Sequence, residues 1–170
     1  MKKLVIVAIV VGMALGGGYV VFDRMGGNNP IEITRIDQHP ENLIGKTFKG
    51  TPQDKRLEET FQSVENLKSF HPGSKIHTIY LIEPAGKLDT MEVFVGLNLP
   101  YPVQEFESKS FRETRYLLAT IRANKWVMPG PNKVKSKLEE FAEANHLELT
   151  GIFIDKIVSE EEVQVIAPVK

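Results

Sequence analysis

The chain has 170 residues and an almost balanced charge, with 21 lysines and arginines against 22 aspartates and glutamates. This balance argues against non-specific nucleic-acid binding, which depends on a clustered positive surface. The sequence contains no cysteine, which excludes disulfides, zinc–thiolate sites and a cysteine nucleophile.

An uncharged apolar run opens the chain, because residues 4–22 contain no charged side chain and follow Lys2 and Lys3. As a helix this run would extend about 28 Å, close to the roughly 30 Å hydrocarbon core of a bilayer. We therefore predict a single transmembrane helix, with residues 1–24 as a membrane anchor. The two lysines favour a cytoplasmic N-terminus and a domain on the periplasmic or extracellular side.

The same segment allows other interpretations. A cleaved signal peptide is the alternative, since Ala14-Leu15-Gly16 supplies the small residues that a signal peptidase requires. A stripe of small residues would let two such helices pack closely and favours a homodimer; it comprises Ala8, Gly12 and Gly16. Residues 25–30 are rich in glycine and asparagine, which is typical of a flexible linker.

Strand and helix patterns alternate from residue 31 onward. Strand patterns occur, in chain order, at residues 31–36, 43–49, 76–82, 91–97, 105–122, 147–158 and 163–169. A helix follows Gly50-Thr51-Pro52-Gln53-Asp54, in which Thr51 is the predicted cap, and another follows Pro129-Gly130-Pro131. Both helices carry apolar residues at helical spacing, namely Leu57, Phe61, Val64 and Leu67 in the first and Val134, Leu138 and Phe141 in the second.

The second half of the pattern repeats the first. A strand, helix, strand, strand order occurs twice, and Leu57-Glu58-Glu59 with Phe61 matches Leu138-Glu139-Glu140-Phe141 about 80 residues later. We predict an α+β domain over residues 31–170. Its duplicated βαββ units form a curved, mostly antiparallel sheet with two helices on one face, preceded by the single transmembrane helix.

Two such units related by a pseudo-twofold axis would leave a concave groove on the face opposite the helices. A concave surface lined by aromatic side chains with a few polar groups is typical of a small-molecule site. Asp155 shares a strand face with Phe153 and Ile157, where apolar neighbours would raise its pKa or leave it to pair with a cation. The candidate ligand-binding residues are Tyr80, Phe94, Tyr116, Trp126, Phe153 and Asp155. The alternatives are a core position for each aromatic and a solvent-facing ion pair for Asp155.

The domain resembles a known family in three features. These are the duplicated units, the Tyr80-x-x-Glu83-Pro84 segment that closes a strand, and the helix starts at Gly50-x-Pro52 and Gly130-Pro131. Together they resemble the GyrI-like small-molecule-binding domain, a duplicated SHS2 unit that serves as the effector-binding domain of bacterial multidrug-responsive regulators. The resemblance covers about residues 31–170.

This resemblance implies capture of amphipathic, often cationic compounds in a central groove, with aromatics and a buried carboxylate as receptors. Membrane-anchored relatives with one N-terminal span have a similar layout. The family's receptor acid is typically a glutamate, whereas Asp155 is one methylene shorter. The regulators' DNA-binding module has no counterpart in the sequence, so we expect no nucleic-acid partner. We therefore expect a membrane-anchored domain that binds a small amphipathic molecule and needs no cofactor.

The sequence lacks the motifs of several enzyme classes. It has neither a phosphate-binding glycine loop in the domain nor a Gly-x-Ser-x-Gly elbow. The four histidines have no spacing typical of a metal site; they are His39, His71, His77 and His146. We therefore expect neither an enzyme nor a metal site.

Two alternative functions remain. One is a protein-interaction module of the cell envelope with a vestigial groove. The other, less favoured, is a hydrolase in which Asp155 or Glu92, assisted by Tyr80 or Tyr116, acts as a general acid or base. The lysines of the second helix are predicted to form part of an exposed side of that helix; they are Lys133, Lys135 and Lys137.

Overall fold

A computed structural model of the protein describes residues 17–170. Residues 17–24 are helical and end in a turn at residues 25–28. The elements that follow are β1 (Glu32–Ile36), β2 (Leu43–Gly50), α1 (Lys55–Ser69), β3 (Ile76–Ile82), β4 (Met91–Asn98), β5 (Glu107–Lys109), β6 (Tyr116–Arg122), α2 (Pro131–Ala144), β7 (Ile154–Ile157) and β8 (Glu162–Pro168).

All eight strands form one antiparallel sheet in the order β1-β6-β8-β7-β3-β4-β2-β5. Strands β3, β4 and β2 on one side of the centre correspond to β7, β8 and β6 on the other. The two halves therefore have the same βαββ order and meet where β3 pairs with β7. The α+β class, the antiparallel sheet and the twofold element order agree with the sequence analysis.

Helix α1 begins at a different residue from the one that the sequence favoured. Asp54 is the N-cap, and its Oδ1 accepts a hydrogen bond from the Arg56 backbone N–H at 2.9 Å. The prediction that Thr51 caps this helix is wrong, because the Thr51 carbonyl instead accepts a turn hydrogen bond from the Asp54 backbone N–H at 3.0 Å. A carboxylate at the N-cap satisfies a free helical N–H and also favours the positive end of the helix dipole. Helix α2 does begin at its proline, Pro131, as predicted.

Both helices pack on the same face of the sheet. Val64 of α1 is buried against Val93 and Val95 of β4, and Leu138 of α2 is buried against Ala119 and Val165. The register of the central strands places these positions on one side. Burial of these apolar stripes is the main source of stability for both helices.

The opposite face of the sheet is filled by side chains. Its core consists of Leu43, Ile79, Phe94, Ile154 and Ile166, and the partly buried Phe111 packs against it. Phe111 lies between β5 and β6, because the strand predicted at residues 105–122 is broken, and Glu105 has a left-handed φ of 70°. The strand predicted at 147–158 is also shorter, and only residues 154–157 form β7.

The prediction of a transmembrane helix is contradicted. No helix within residues 17–170 is long and apolar enough to cross a membrane. The helical residues 17–24 account for only about 12 Å at the usual rise of 1.5 Å per residue. This finding also contradicts the predicted single-pass membrane topology. The rest of the apolar run, residues 4–16, lies outside the described residues, as do the proposed signal-peptide site and homodimer stripe.

Residues 25–30, predicted to be a flexible linker, form hydrogen bonds with the folded domain. The Asn124 backbone N–H donates to the Met25 carbonyl at 2.8 Å, and the Asn29 side-chain amide donates to the Arg122 carbonyl at 2.7 Å. Gly26 has a φ of 83°, and a Cβ there would lie 3.0 Å from the Arg122 carbonyl oxygen. This close approach of two backbones requires glycine at that position.

Candidate ligand-binding cleft

An open cleft of about 730 Å³ lies between helix α2 and the ends of the central strands β3 and β7. Its lining residues are Tyr80, Glu83, Pro84, Gly130, Pro131, Asn132, Lys133, Lys135, Glu139, Gly151, Phe153 and Asp155. The cleft is on the face that carries the helices. The groove predicted on the opposite face is a separate feature: a core that includes Phe94 occupies part of that face, and an open pocket of about 460 Å³ beside it is lined by Ile79, Phe111 and Ile152.

Strand pairing brings the cleft residues together. Thr78 of β3 pairs directly with Asp155 of β7, and Tyr80 and Phe153 are the next positions on the same face. A register shift between Tyr80 and Ile82 then ends the regular pairing of β3. Beyond it, Glu83 and Pro84 form one wall of the cleft. The junction of the two repeats thus brings an acid and two aromatic rings together.

The pKa values of Asp155 and Tyr80 are both raised, and the charge of Asp155 contributes to the shift of Tyr80. Burial raises the pKa of Asp155, against the opposing effects of the Lys135 charge and the Thr78 hydroxyl. Burial also raises the pKa of Tyr80, and the negative charge of Asp155 raises it further. The ring of Tyr80 remains 43 % exposed, so it forms an accessible wall of the cleft. The acid is therefore protonated more readily than a solvent-exposed aspartate.

Lys135 of α2 extends into the cleft. Its Nζ lies 5.2 Å from the centroid of the Phe153 ring and forms an ion pair with Glu83. The Lys135 side chain is only 24 % exposed, so its predicted place on an exposed helix side is wrong. It is adjacent to the buried Val134 and therefore borders the apolar stripe of the helix.

Three of the six candidate residues lie together in the cleft: Tyr80, Phe153 and Asp155. The other three do not. Phe94 is 0 % exposed and belongs to the core of the opposite face, where Tyr116 is also found. Trp126 is 78 % exposed in the loop before α2, with Lys125 Nζ 5.5 Å from its ring centroid.

Four charged cleft residues were not among the candidates, namely Glu83, Lys133, Lys135 and Glu139. Glu83 was quoted in the Tyr80-x-x-Glu83-Pro84 segment, and its position three residues after Tyr80 at a strand end was the available signal. Glu92, named for the hydrolase alternative, forms an ion pair with Lys49 at 3.0 Å and does not line the cleft.

A separate polar cluster surrounds His77 on the opposite face. The His77 side chain is buried; its Nδ1 lies 2.9 Å from the Lys75 carbonyl oxygen, and its Nε2 has no hydrogen-bond partner. Burial lowers the pKa of His77 to about 4, although Glu41 lies 3.9 Å from Nε2. Burial raises the pKa of Glu41, but hydrogen bonds from Asn98 and Lys156 reverse this and hold it below its ordinary value.

Among residues 17–170, no group of three or more histidines and acids could hold a metal ion.

No protein-family model matches the chain, and no curated protein sequence matches it significantly. Among solved structures, an uncharacterized conserved protein from Listeria innocua is similar, with 10 % identity and a TM-score of 0.60, over 88 % of this chain and 98 % of that one. A hydrolase from Listeria innocua is also similar, with 10 % identity and a TM-score of 0.59, over 82 % and 92 % of the two chains. The EcmrR C-terminal domain has 12 % identity and a TM-score of 0.52, over 83 % and 97 %. The chain has the fold of these structures, which supports the GyrI-like resemblance at the level of the architecture.

Proposed function

We propose that the protein binds an amphipathic small molecule with one positive charge in the cleft between α2 and the central strands. The observation that carries this proposal is the convergence of Asp155 with the rings of Tyr80 and Phe153. A cation placed there would gain both a carboxylate partner and the negative faces of aromatic rings.

The size and shape of the cleft support a ligand of drug-like dimensions. Its volume of about 730 Å³ lies within the range of roughly 300–1,000 Å³ that is usual for small-molecule pockets. The walls combine the aromatic rings of Tyr80 and Phe153 with Pro84 and Pro131. Such rigid apolar walls suit the apolar part of an amphipathic compound.

The charges of the cleft favour a single positive charge on the ligand. Its lining includes three carboxylates and two ammonium groups, which are Glu83, Glu139, Asp155, Lys133 and Lys135. Their sum is one negative charge when Asp155 is ionised and zero when it is protonated. Binding of a monovalent cation therefore neutralises the cleft and also stabilises the ionised form of Asp155.

Fluorescence titration of the full chain tests the proposal with two aromatic dyes. Ethidium carries a permanent positive charge, and N-phenyl-1-naphthylamine is uncharged. We expect saturable binding of ethidium that Asp155→Asn weakens by about five- to tenfold, equivalent to about 1–1.4 kcal/mol. The same substitution should leave the uncharged dye unaffected, whereas Phe153→Leu should weaken both.

Glu160→Gln is the matched control, because Glu160 is exposed in the turn before β8. The proposal is wrong if ethidium does not bind saturably, or if Asp155→Asn and Glu160→Gln give the same affinity as the unmodified chain. Crosslinking to a specific protein partner without dye binding would instead favour the interaction module.

Hydrolysis is a second candidate, favoured by the adjacency of Asp155 and Tyr80. An acid with a raised pKa beside a phenol is able to supply a proton to a leaving group. The similar Listeria innocua hydrolase adds a reason to assay for it. Incubation with an aromatic epoxide and with p-nitrophenyl esters, followed by chromatography, is the test. Turnover that both Asp155→Asn and Tyr80→Phe abolish would support an enzyme.

A further inference from the structure

Lys135 makes the contacts that a bound cation would make. Its ammonium group forms an ion pair with Glu83, lies 5.2 Å from the centroid of the Phe153 ring and interacts electrostatically with Asp155. The cleft therefore already contains a positive charge supplied by the chain itself. The Lys135 ammonium group and a cationic ligand would repel each other if both occupied these contacts.

We propose that Lys135 is an internal competitor that sets the specificity of the cleft: a cationic ligand binds by displacing its ammonium group from Glu83 and Phe153. This inference rests on the proposed function, because it concerns the same cleft and the same class of ligand. It adds the residue that decides which cations bind.

A second position for Lys135 is available on its own helix. Glu139 lies four residues further along α2, at the spacing that brings side chains together on a helix surface. Glu139 is exposed, lines the cleft, and has no ion pair within residues 17–170. When a ligand enters, the long lysine side chain can move from Glu83 to Glu139 and regain water around its ammonium group. Displacement is therefore compatible with an unchanged helix.

This competition determines the kind of cation that the cleft accepts. A primary amine resembles Lys135 itself and must also lose its own strongly bound water, so it gains little by exchange. A bulky aromatic or quaternary cation is weakly hydrated and adds apolar contact with Tyr80 and Phe153. We therefore expect selectivity for such cations over primary amines. An uncharged amphiphile does not require the displacement at all.

Substitution of Lys135 in the full chain tests the competition. We expect Lys135→Met and Lys135→Gln to tighten ethidium binding by about three- to tenfold, since both remove the competing charge. Both should leave the uncharged N-phenyl-1-naphthylamine within about twofold of its original affinity. Lys135→Arg should weaken ethidium binding, because a guanidinium forms a bidentate pair with Glu83 and stacks on Phe153 more firmly. Glu139→Gln should also weaken it, because the displaced lysine loses its alternative partner.

Lysine labelling gives a readout that does not depend on a substitution. We expect the rate of acetylation of Lys135, measured by mass spectrometry, to rise when ethidium binds, because the ammonium leaves the cleft. Exposed Lys137 is the internal reference, and the uncharged dye should produce no increase.

The outcomes separate this inference from the function on which it rests. If the unmodified chain binds ethidium but Lys135→Met and Lys135→Gln do not tighten the binding, the competition is disproved and the proposed function remains. If only the Lys135 variants bind ethidium, the ammonium group excludes the cation and is not displaced by it, so both proposals are wrong for the unmodified chain. If folded variants and the unmodified chain all fail to bind either dye, both proposals are wrong.

Discussion

Thr78 and Asp155 face each other directly across β3 and β7, the pair of strands at which the two βαββ repeats meet. Each repeat supplies one of these residues, and the second repeat also supplies α2, whose Lys135 lines the cleft together with Asp155. The acid of the cleft therefore lies at the seam between the repeats. Its environment combines burial from both halves with the charge of Lys135.

Replacing Asp155 by asparagine should stabilise the free protein at neutral pH. The pKa of Asp155 is raised in the folded state, so over the affected range the folded protein binds more protons than the unfolded one, and stability falls as the pH rises. Asparagine removes this penalty, and we expect the Tm to increase by a few degrees at pH 7. Thermal unfolding by circular dichroism is the measurement. An equal or lower Tm, with Glu160→Gln as the reference, would contradict the argument.

His77 should make the protein less stable in mild acid. Its folded pKa is about 4 against 6.5 when exposed, so the unfolded chain binds more protons between these values and unfolding is favoured as the pH falls. A difference of this size corresponds to about 3 kcal/mol lost between pH 6.5 and pH 4. Urea unfolding at a series of pH values measures it.

His77→Asn provides the corresponding variant, because its amide can still donate to the Lys75 carbonyl but does not titrate. We expect its stability to vary much less with pH over this range. Exposed His39→Asn is the control and should retain the pH dependence of the unmodified chain. A steep loss of stability that persists in His77→Asn would assign it to other groups, of which Glu41 is the nearest.

The N-cap of α1 distinguishes the structure from the sequence-based expectation. Asp54→Ala should reduce the free energy of unfolding by about 1 kcal/mol, because the Arg56 N–H loses its acceptor. Thr51→Ala should change it by less than about 0.5 kcal/mol, since only the backbone of Thr51 takes part in the turn. Urea unfolding of the two variants side by side is the measurement. A larger effect at Thr51 would restore the original assignment of the cap.

Leu138 is expected to be the main anchor of α2. Its side chain is fully buried against β6 and β8, so Leu138→Ala should cost about 2–5 kcal/mol of folding free energy. Leu88→Ala provides the matched control, because Leu88 is exposed and should change stability by less than about 0.5 kcal/mol. Similar urea midpoints for the two variants would contradict the packing.

The sequence predicted the fold well where periodic patterns carried the information. The two helical stripes and the alternating strands were recognisable because each element buries one face, and strand parity correctly grouped Phe153 with Asp155. Parity does not determine which of the two faces is open, however. On the opposite face that also depends on Phe111, which reaches the core from an irregular segment without periodicity and lines an open pocket there.

The candidate site was predicted only in part for similar reasons. Aromatic residues suit both a core and a pocket, and Phe94 proved to be core because it packs with side chains of neighbouring strands and with Phe111. Lys135 was missed because a long side chain can extend from an exposed helix position to a partner that is distant in sequence. Glu83 is 52 residues away from it.

The cleft also lies beside the ladder of four residue pairs that joins β3 to β7. A molecule bound there would contact Tyr80 of one repeat and α2 of the other, and these contacts would connect the two repeats. Local opening of this short ladder should then become rarer, and its amide protons should exchange more slowly with solvent. Occupancy would thereby stiffen the junction between the two repeats.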